Sequence, residues 1–224
     1  MRGINFEAKS CLSAAASEEV VCMKFVLATR NSHKATELKR ILEEMELDCE
    51  LFTVADFPGA PEVEETETTF EGNALLKARA ITKFTGLAAI ADDSGLCVDA
   101  LDGSPGVLSA RWSGALENVD QANLDLVLEQ TKDVAPENRG AKFVCAAVAV
   151  FPDGKELVSI GEMFGSLLTA PVGENGFGYD PIFVPTGYEI STAQMIASEK
   201  DAISHRGKAL NQLAHQISEV ISKD

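Results

Sequence analysis

The first strand-like run is residues 24–28 (KFVLA), which reads as a buried strand, with residues 29–34 as the loop leaving it. Leu38, Ile41, Leu42 and Met45 then recur on one face of a helix that runs to about Met45. Residues 50–54 form a second strand, and the acidic, Pro- and Gly-containing stretch 56–67 is a loop. Thr68 opens the next helix, with Glu71 completing a capping box and Gly86 ending it. Residues 88–91 are a short apolar strand running into the turn-like Asp92-Asp93-Ser94-Gly95, and 118–132 are helical. The second half changes character. Residues 141–151 are a long strand, Pro152-Asp153-Gly154 a tight turn and 155–162 the returning strand. A further strand at 166–170, a Gly-rich loop at 173–181 and a helix from near Ser198 to Ile221 complete the chain; Ile203, Leu210, Leu213, Ile217 and Val220 mark that helix's apolar stripe. Helices among the early strands and an antiparallel ribbon later predict an α/β protein built on a mixed sheet.

A chain of 224 residues suits one such domain, placed here at residues 23–224. Residues 1–22 lack a continuous apolar stretch, being interrupted by Glu7, Lys9, Glu18 and Glu19, so they read as a dispensable extension rather than a signal peptide. No apolar run approaches the ~20 residues of a membrane span, which argues against a membrane partner. Charge narrows the partners further. A formal net charge of -16 repels nucleic acid polymers, whereas a small phosphate ligand needs only a few local cations. The five cysteines, Cys11, Cys22, Cys49, Cys97 and Cys145, contain no C-x-x-C pair and suggest reduced thiols in a cytoplasmic protein.

Four polar clusters carry candidate chemistry. Thr29-Arg30-Asn31-Ser32-His33-Lys34 lies between a strand and a helix N-terminus, where free N–H groups attract anions; a capped helix start with solvated charges has the same composition. The carboxylates Glu64, Glu65, Asp92 and Asp93 are the hard oxygen ligands that magnesium takes beside substrate phosphates, and one of them could deprotonate a water. The same residues also make ordinary acidic loops and turns. Phe177-Gly178-Tyr179-Asp180 joins a close-approach glycine to stacking faces, although Phe177 and Tyr179 fit a core role equally well. In the fourth cluster, Lys200, His205 and Arg206, the lysine and arginine cannot share one helix face, and they converge only if a helix begins between them.

In this order the blocks LATRNSHK, EETETTFEGNALLKA, ADDSGLCVDAL, PGVLSARWSG, FGYDPIF and SEKDAISHRGKAL resemble the inosine triphosphate pyrophosphatase family, over nearly the whole chain from Met23 onward. The resemblance implies an elongated mixed β-sheet flanked by helices, two lobes with a central cleft, and a homodimer. It also implies Mg²⁺-dependent hydrolysis of ITP, dITP and XTP to the monophosphate and pyrophosphate, which cleanses the nucleotide pool. On that basis Thr29, Arg30, Asn31, Ser32, His33 and Lys34 hold the triphosphate. Glu65, or its neighbour Glu64, helps place the metal. Asp93 is metal ligand and proton acceptor, and Ser94 touches substrate. Phe177, Gly178, Tyr179, Asp180, Lys200, His205 and Arg206 form the base pocket. Arg206 or a backbone N–H aimed at the 6-oxo group would be left unpaired by adenine, a discrimination worth about 10⁴ or more. The 2-amino group of guanine would need a separate wall, assigned to the FGYD loop. Two other readings are a pyrophosphatase for modified pyrimidine or methylated nucleotides and a nucleotide sensor without turnover.

Overall fold

A computed structural model describes residues 23–44 and 49–221; the proposed extension at 1–22 and the helix-end residue Met45 lie outside them. Strands β1 (Met23–Leu27), β2 (Cys49–Thr53) and β3 (Ala88–Val98) are parallel, with β1 in the middle of the three. Strands β4 (Gly140–Val150), β5 (Glu156–Leu167) and β6 (Phe183–Pro185) continue the sheet antiparallel, in the order β2-β1-β3-β4-β5-β6. This is the mixed sheet that the change in pattern between the two halves predicts.

The helices are α1 (Ser32–Glu44), α2 (Phe70–Thr85), α3 (Val119–Gln130), α4 (Ala197–Ile203) and α5 (His205–Ile221). Side chains alternate across a strand, so β1 and β3 feed two cores at once. On one face Phe25, Leu27 and Ile90 pack with Leu38, Ile41 and Leu42 of α1 and Leu210, Leu213 and Ile217 of α5. On the other, Val26, Ala89 and Ala91 pack with Ala74, Leu75, Ala78 and Ile81 of α2. A third core, with Leu96, Phe143, Met163, Ile182 and Phe183, fills the far end under α3. The first turn of α5 lies directly on Gly161 of β5, where any Cβ would collide with the His205 carbonyl and the Ala209 amide; only glycine lets that turn sit this close to the sheet.

Four local expectations change, and one short strand is new. The run Asp92-Asp93-Ser94-Gly95 is not a turn but the middle of β3, paired with Ala147, Ala146, Cys145 and Val144 of β4. The cap of α2 is Thr69, whose Oγ accepts from the Gly72 amide at 3.0 Å; with glycine at that position, the Thr68–Glu71 box does not form. Of the strand expected at 166–170 only Ser166 and Leu167 are strand, as the end of β5, which stays in register with β4 to Ser166; residues 168–170 lie outside any strand. The short β6 closes the sheet edge and carries too few residues to show a period. The last helix is broken at Ser204, whose extended backbone lets α5 begin afresh at His205.

Candidate active site

Because β3 stays a strand through its polar residues, Asp92 and Asp93 point to opposite faces of the sheet. Asp92 and Ser94 face α1 and α5. The Arg206 Nε donates to Asp92 Oδ2 at 3.2 Å, its Nη2 to Ser94 Oγ at 2.7 Å and its Nη1 to Glu37 of α1 at 2.6 Å. Lys34 Nζ lies 3.2 Å from the same Asp92 oxygen. Burial alone would push the Asp92 carboxyl up, but Lys34 and Arg206 override it and hold it well below the usual carboxylate range.

Asp93 faces α2. Its Oδ2 accepts from the Asn73 amide at 3.1 Å, and Lys77 Nζ lies 3.7 Å from its Oδ1. The same Lys77 donates to Glu65 Oε1 at 2.9 Å, while Arg111 donates to Glu65 Oε2 at 2.8 Å. Burial raises the Asp93 carboxyl above its ordinary value, opposed by Lys77 and Lys34. Burial acts on Glu65 in the same sense, but Lys77 and Arg111 outweigh it and lower that carboxyl. Two neighbours in sequence thus sit in opposite electrostatic settings.

The other end of the site is assembled from the 173–181 loop and the α4–α5 junction. Asp180 is buried; its Oδ2 accepts from Lys200 Nζ at 2.7 Å and from the Phe177 amide at 2.8 Å, and Thr192 Oγ1 donates to Oδ1 at 2.9 Å. The new helix start between Lys200 and Arg206 is what brings them together: their cationic groups lie 5.3 and 5.8 Å from the Phe177 ring centroid. His205 stacks on Phe143 at 4.8 Å, and burial beside Arg206 and Lys200 pushes its imidazole well below the usual range, so it is neutral at pH 7. Tyr179 is a core residue, with its hydroxyl donating to the Ser109 carbonyl at 2.9 Å.

One cavity of about 320 Å³ connects the two ends. Thr29, Arg30, Asn31, Lys34, Glu65, Asp93, Ser94, Phe177, Gly178, Tyr179, Asp180, Lys200, His205 and Arg206 all line it. Three expected residues do not. Glu64 is exposed and outside the lining, whereas Glu65 lines the cavity and is held there by Lys77 and Arg111. Ser32 and His33 begin α1 on its outer side; His33 stacks on Phe177 at 5.5 Å and lines a second cavity behind that ring. Within the phosphate-loop segment, Asn31 Oδ1 accepts from the Lys34 amide at 3.1 Å and so caps α1, while Arg30 donates to the Ala60 carbonyl at 2.6 Å. Arg206 lines the cavity as expected, and it is also the centre of a buried network. Its Nε, Nη1 and Nη2 each donate one hydrogen bond, to Asp92, Glu37 and Ser94, which leaves two of the five guanidinium N–H groups beyond that network.

Sequence reasoning missed Glu37, Asn73, Lys77 and Arg111. The signal was there for three of them: Glu37, Asn73 and Lys77 sit beside the apolar stripes of α1 and α2, where a polar group must find a partner. The chemistry suits a divalent cation. Among the described residues no three His, Cys, Asp or Glu side chains converge on one point, but magnesium takes one or two carboxylates plus phosphates and water. Glu65 and Asp93 are the carboxylates that would provide that pair, and the ammonium of Lys77 lies 2.9 Å from one and 3.7 Å from the other.

A Ham1 family profile matches residues 25–216. The dITP/XTP pyrophosphatase of Streptomyces coelicolor is 52% identical over 198 residues, covering 88% of this chain and 98% of its own. That of Corynebacterium efficiens is 53% identical over 205 residues, covering 88% and 99%. Among solved structures, a HAM1 protein from Coxiella burnetii superimposes with a TM-score of 0.79 at 38% identity, covering 88% of this chain and 99% of its own. The dITP/XTP pyrophosphatase of Mycobacterium abscessus gives 0.70 at 52% identity, covering 85% and 97%. With a family profile over residues 25–216 and relatives at about half identity over most of its length, the chain belongs to the Ham1 family.

Proposed function

We propose that the chain hydrolyses non-standard purine nucleoside triphosphates, dITP, ITP and XTP, to the monophosphate and pyrophosphate. The observation that carries this reading is the single cavity with a cation-bearing loop and paired carboxylates at one end and an aromatic, cation-walled slot at the other. The names borne by relatives at about half identity support the same activity. Asp93, the one buried cavity carboxylate with a raised pKa, accepts the proton of the attacking water, and Asn73 and Lys77 hold it in place. Lys34 and Lys77 face the developing phosphate charge. Glu65 and Asp93 would hold Mg²⁺, which supplies further neutralisation of the leaving pyrophosphate.

The base lies against the face of Arg206 and beside Phe177. Lys200 uses one of its three donors on Asp180 and keeps others for the 6-oxo oxygen, as does the backbone. The tight FGYD loop rejects the guanine 2-amino group.

We place the activity in residues 23–224, with 1–22 dispensable, in a cytoplasmic homodimer. No helix among the described residues is long and apolar enough to cross a membrane, and Cys97 and Cys145 are free thiols. The outward face of β5, with Ile160 and Phe164 about half exposed, suits a second copy. The test is pyrophosphate release from ITP, XTP, GTP and ATP, with Mg²⁺ and with EDTA, on the full chain and on one starting at Met23. Fast, metal-dependent release from ITP and XTP alone, equal for both chains, is expected. Equal turnover of GTP would overturn the specificity, and no release from any substrate would overturn the activity.

A further inference from the structure

Asn73 is fully buried on the first turn of α2, and both ends of its amide are used. Its Nδ2 donates to Asp93 Oδ2 at 3.1 Å, and its Oδ1 accepts from the backbone amide of Glu67 at 2.9 Å. One side chain therefore ties the loop that carries Glu65 to the strand that carries Asp93. The residue before it serves the same junction. A Cβ on Gly72 would stand 2.7 Å from the Glu67 Cβ and 2.8 Å from its Cγ, so the loop lies against α2 only because position 72 is glycine. The loop is thus clipped to α2 by packing at Gly72 and by hydrogen bonding at Asn73, two residues beyond Glu65. Other restraints on that loop are charged and more open: Arg111, which is largely exposed, and Lys77, whose ammonium occupies the space between the carboxylates. A cation placed there would compete with those two, whereas Asn73 holds Asp93 by its other oxygen, Oδ2, away from the Lys77 contact at Oδ1.

We propose that Asn73 is a positioning residue which, with Gly72, sets the spacing between Glu65 and Asp93 so that the two carboxylates share one divalent cation before substrate arrives. This rests on the assignment of Glu65 and Asp93 as the metal pair. Partners that orient metal ligands typically contribute 10- to 100-fold to affinity.

Mn²⁺ binding to the nucleotide-free protein, followed by the EPR signal of the free ion, tests it on Asn73→Ala, Gly72→Ala and Glu65→Gln. The expected result is a dissociation constant about 10- to 100-fold higher for Asn73→Ala and also raised for Gly72→Ala, which leaves the amide intact. In turnover, kcat at fixed Mg²⁺ falls and is recovered in part by added metal, while KM for ITP at saturating metal stays near wild type. A residue that merely supports α2 would lower the melting temperature and leave the Mn²⁺ affinity of folded protein unchanged. Wild-type Mn²⁺ affinity in both the Asn73 and Gly72 variants, with binding lost in Glu65→Gln, overturns the proposal alone. Unchanged binding in Glu65→Gln overturns it together with the metal assignment. Should Asn73→Ala fail to fold, Gly72→Ala decides.

Discussion

The two faces of β3 carry different halves of the same site. On the α1/α5 face, Asp92 and Glu37 are matched by Lys34 and Arg206, and the guanidinium donates to three acceptors. That network joins α1 to α5 through the buried end of β3. On the α2 face, Asp93 and Glu65 share Lys77, with Arg111 reaching in from solvent. Here the carboxylate nearest the cavity is held less firmly in its charged form, and the cations beside it can be exchanged. A sheet that is buried on both sides lets one Asp-Asp step place two carboxylates in opposite electrostatic settings, separated by the strand itself. In the proposed reaction only Asp93 would act on the substrate.

The largest expected effect breaks the comparison at its reactive side. Asp93→Asn removes the proton acceptor and should lower kcat by about 10²- to 10⁴-fold while leaving nucleotide binding measurable. Near-normal kcat would return the role of base to another carboxylate. Asp92→Asn should act differently, because it strips a partner from Lys34 and Arg206 inside the protein. Removing one member of a buried pair costs roughly 3–5 kcal/mol, or about 10 °C in a chain of this size. The signs differ as well. Asp92 has a depressed pKa, so its contribution is present above the unfolded carboxylate range and is lost as pH falls. Asp93 has a raised pKa, so its ionisation costs the folded state stability at neutral pH. Melting curves in EDTA at neutral pH should therefore place Asp92→Asn well below the wild type and Asp93→Asn at or above it. Equal losses in both variants would mean that the faces do not divide the work.

The division explains what the sequence could disclose. Strand positions, helix stripes and the polar blocks at strand ends were legible because apolar period and charged clusters are local properties. That Asp92 to Gly95 remain in a strand was not, since their composition favours a turn and only pairing with β4 and the cations of three helices overrides it. Tertiary partners also decided the outcomes for Glu37, Asn73 and Lys77. Each lies next to an apolar stripe, and a period count that registers only apolar residues passes over them. The choice of Glu65 over Glu64 needed the path of the loop. Lys200 and Arg206 were legible as a conditional: they converge given a helix start between them, and Ser204 provides the break.

His33 sharpens the comparison at its edge, with a smaller effect. It belongs to the same six-residue block as Lys34, yet its ring lies 5.5 Å from that of Phe177 with 19° between the planes, on the side away from the substrate cavity. Its contribution should therefore appear in how firmly the base is held. A stacked pair is worth about 0.5–1.5 kcal/mol, so His33→Ala should raise KM for ITP roughly 2- to 10-fold and leave kcat unchanged. Replacement by Phe, which keeps the stack and removes the imidazole, should restore KM. If His33→Ala instead lowers kcat and Phe fails to rescue it, the residue acts on the phosphates through its ring nitrogens. The outer end of α1 would then belong with Lys34 at the reactive end of the cleft rather than with the wall behind Phe177.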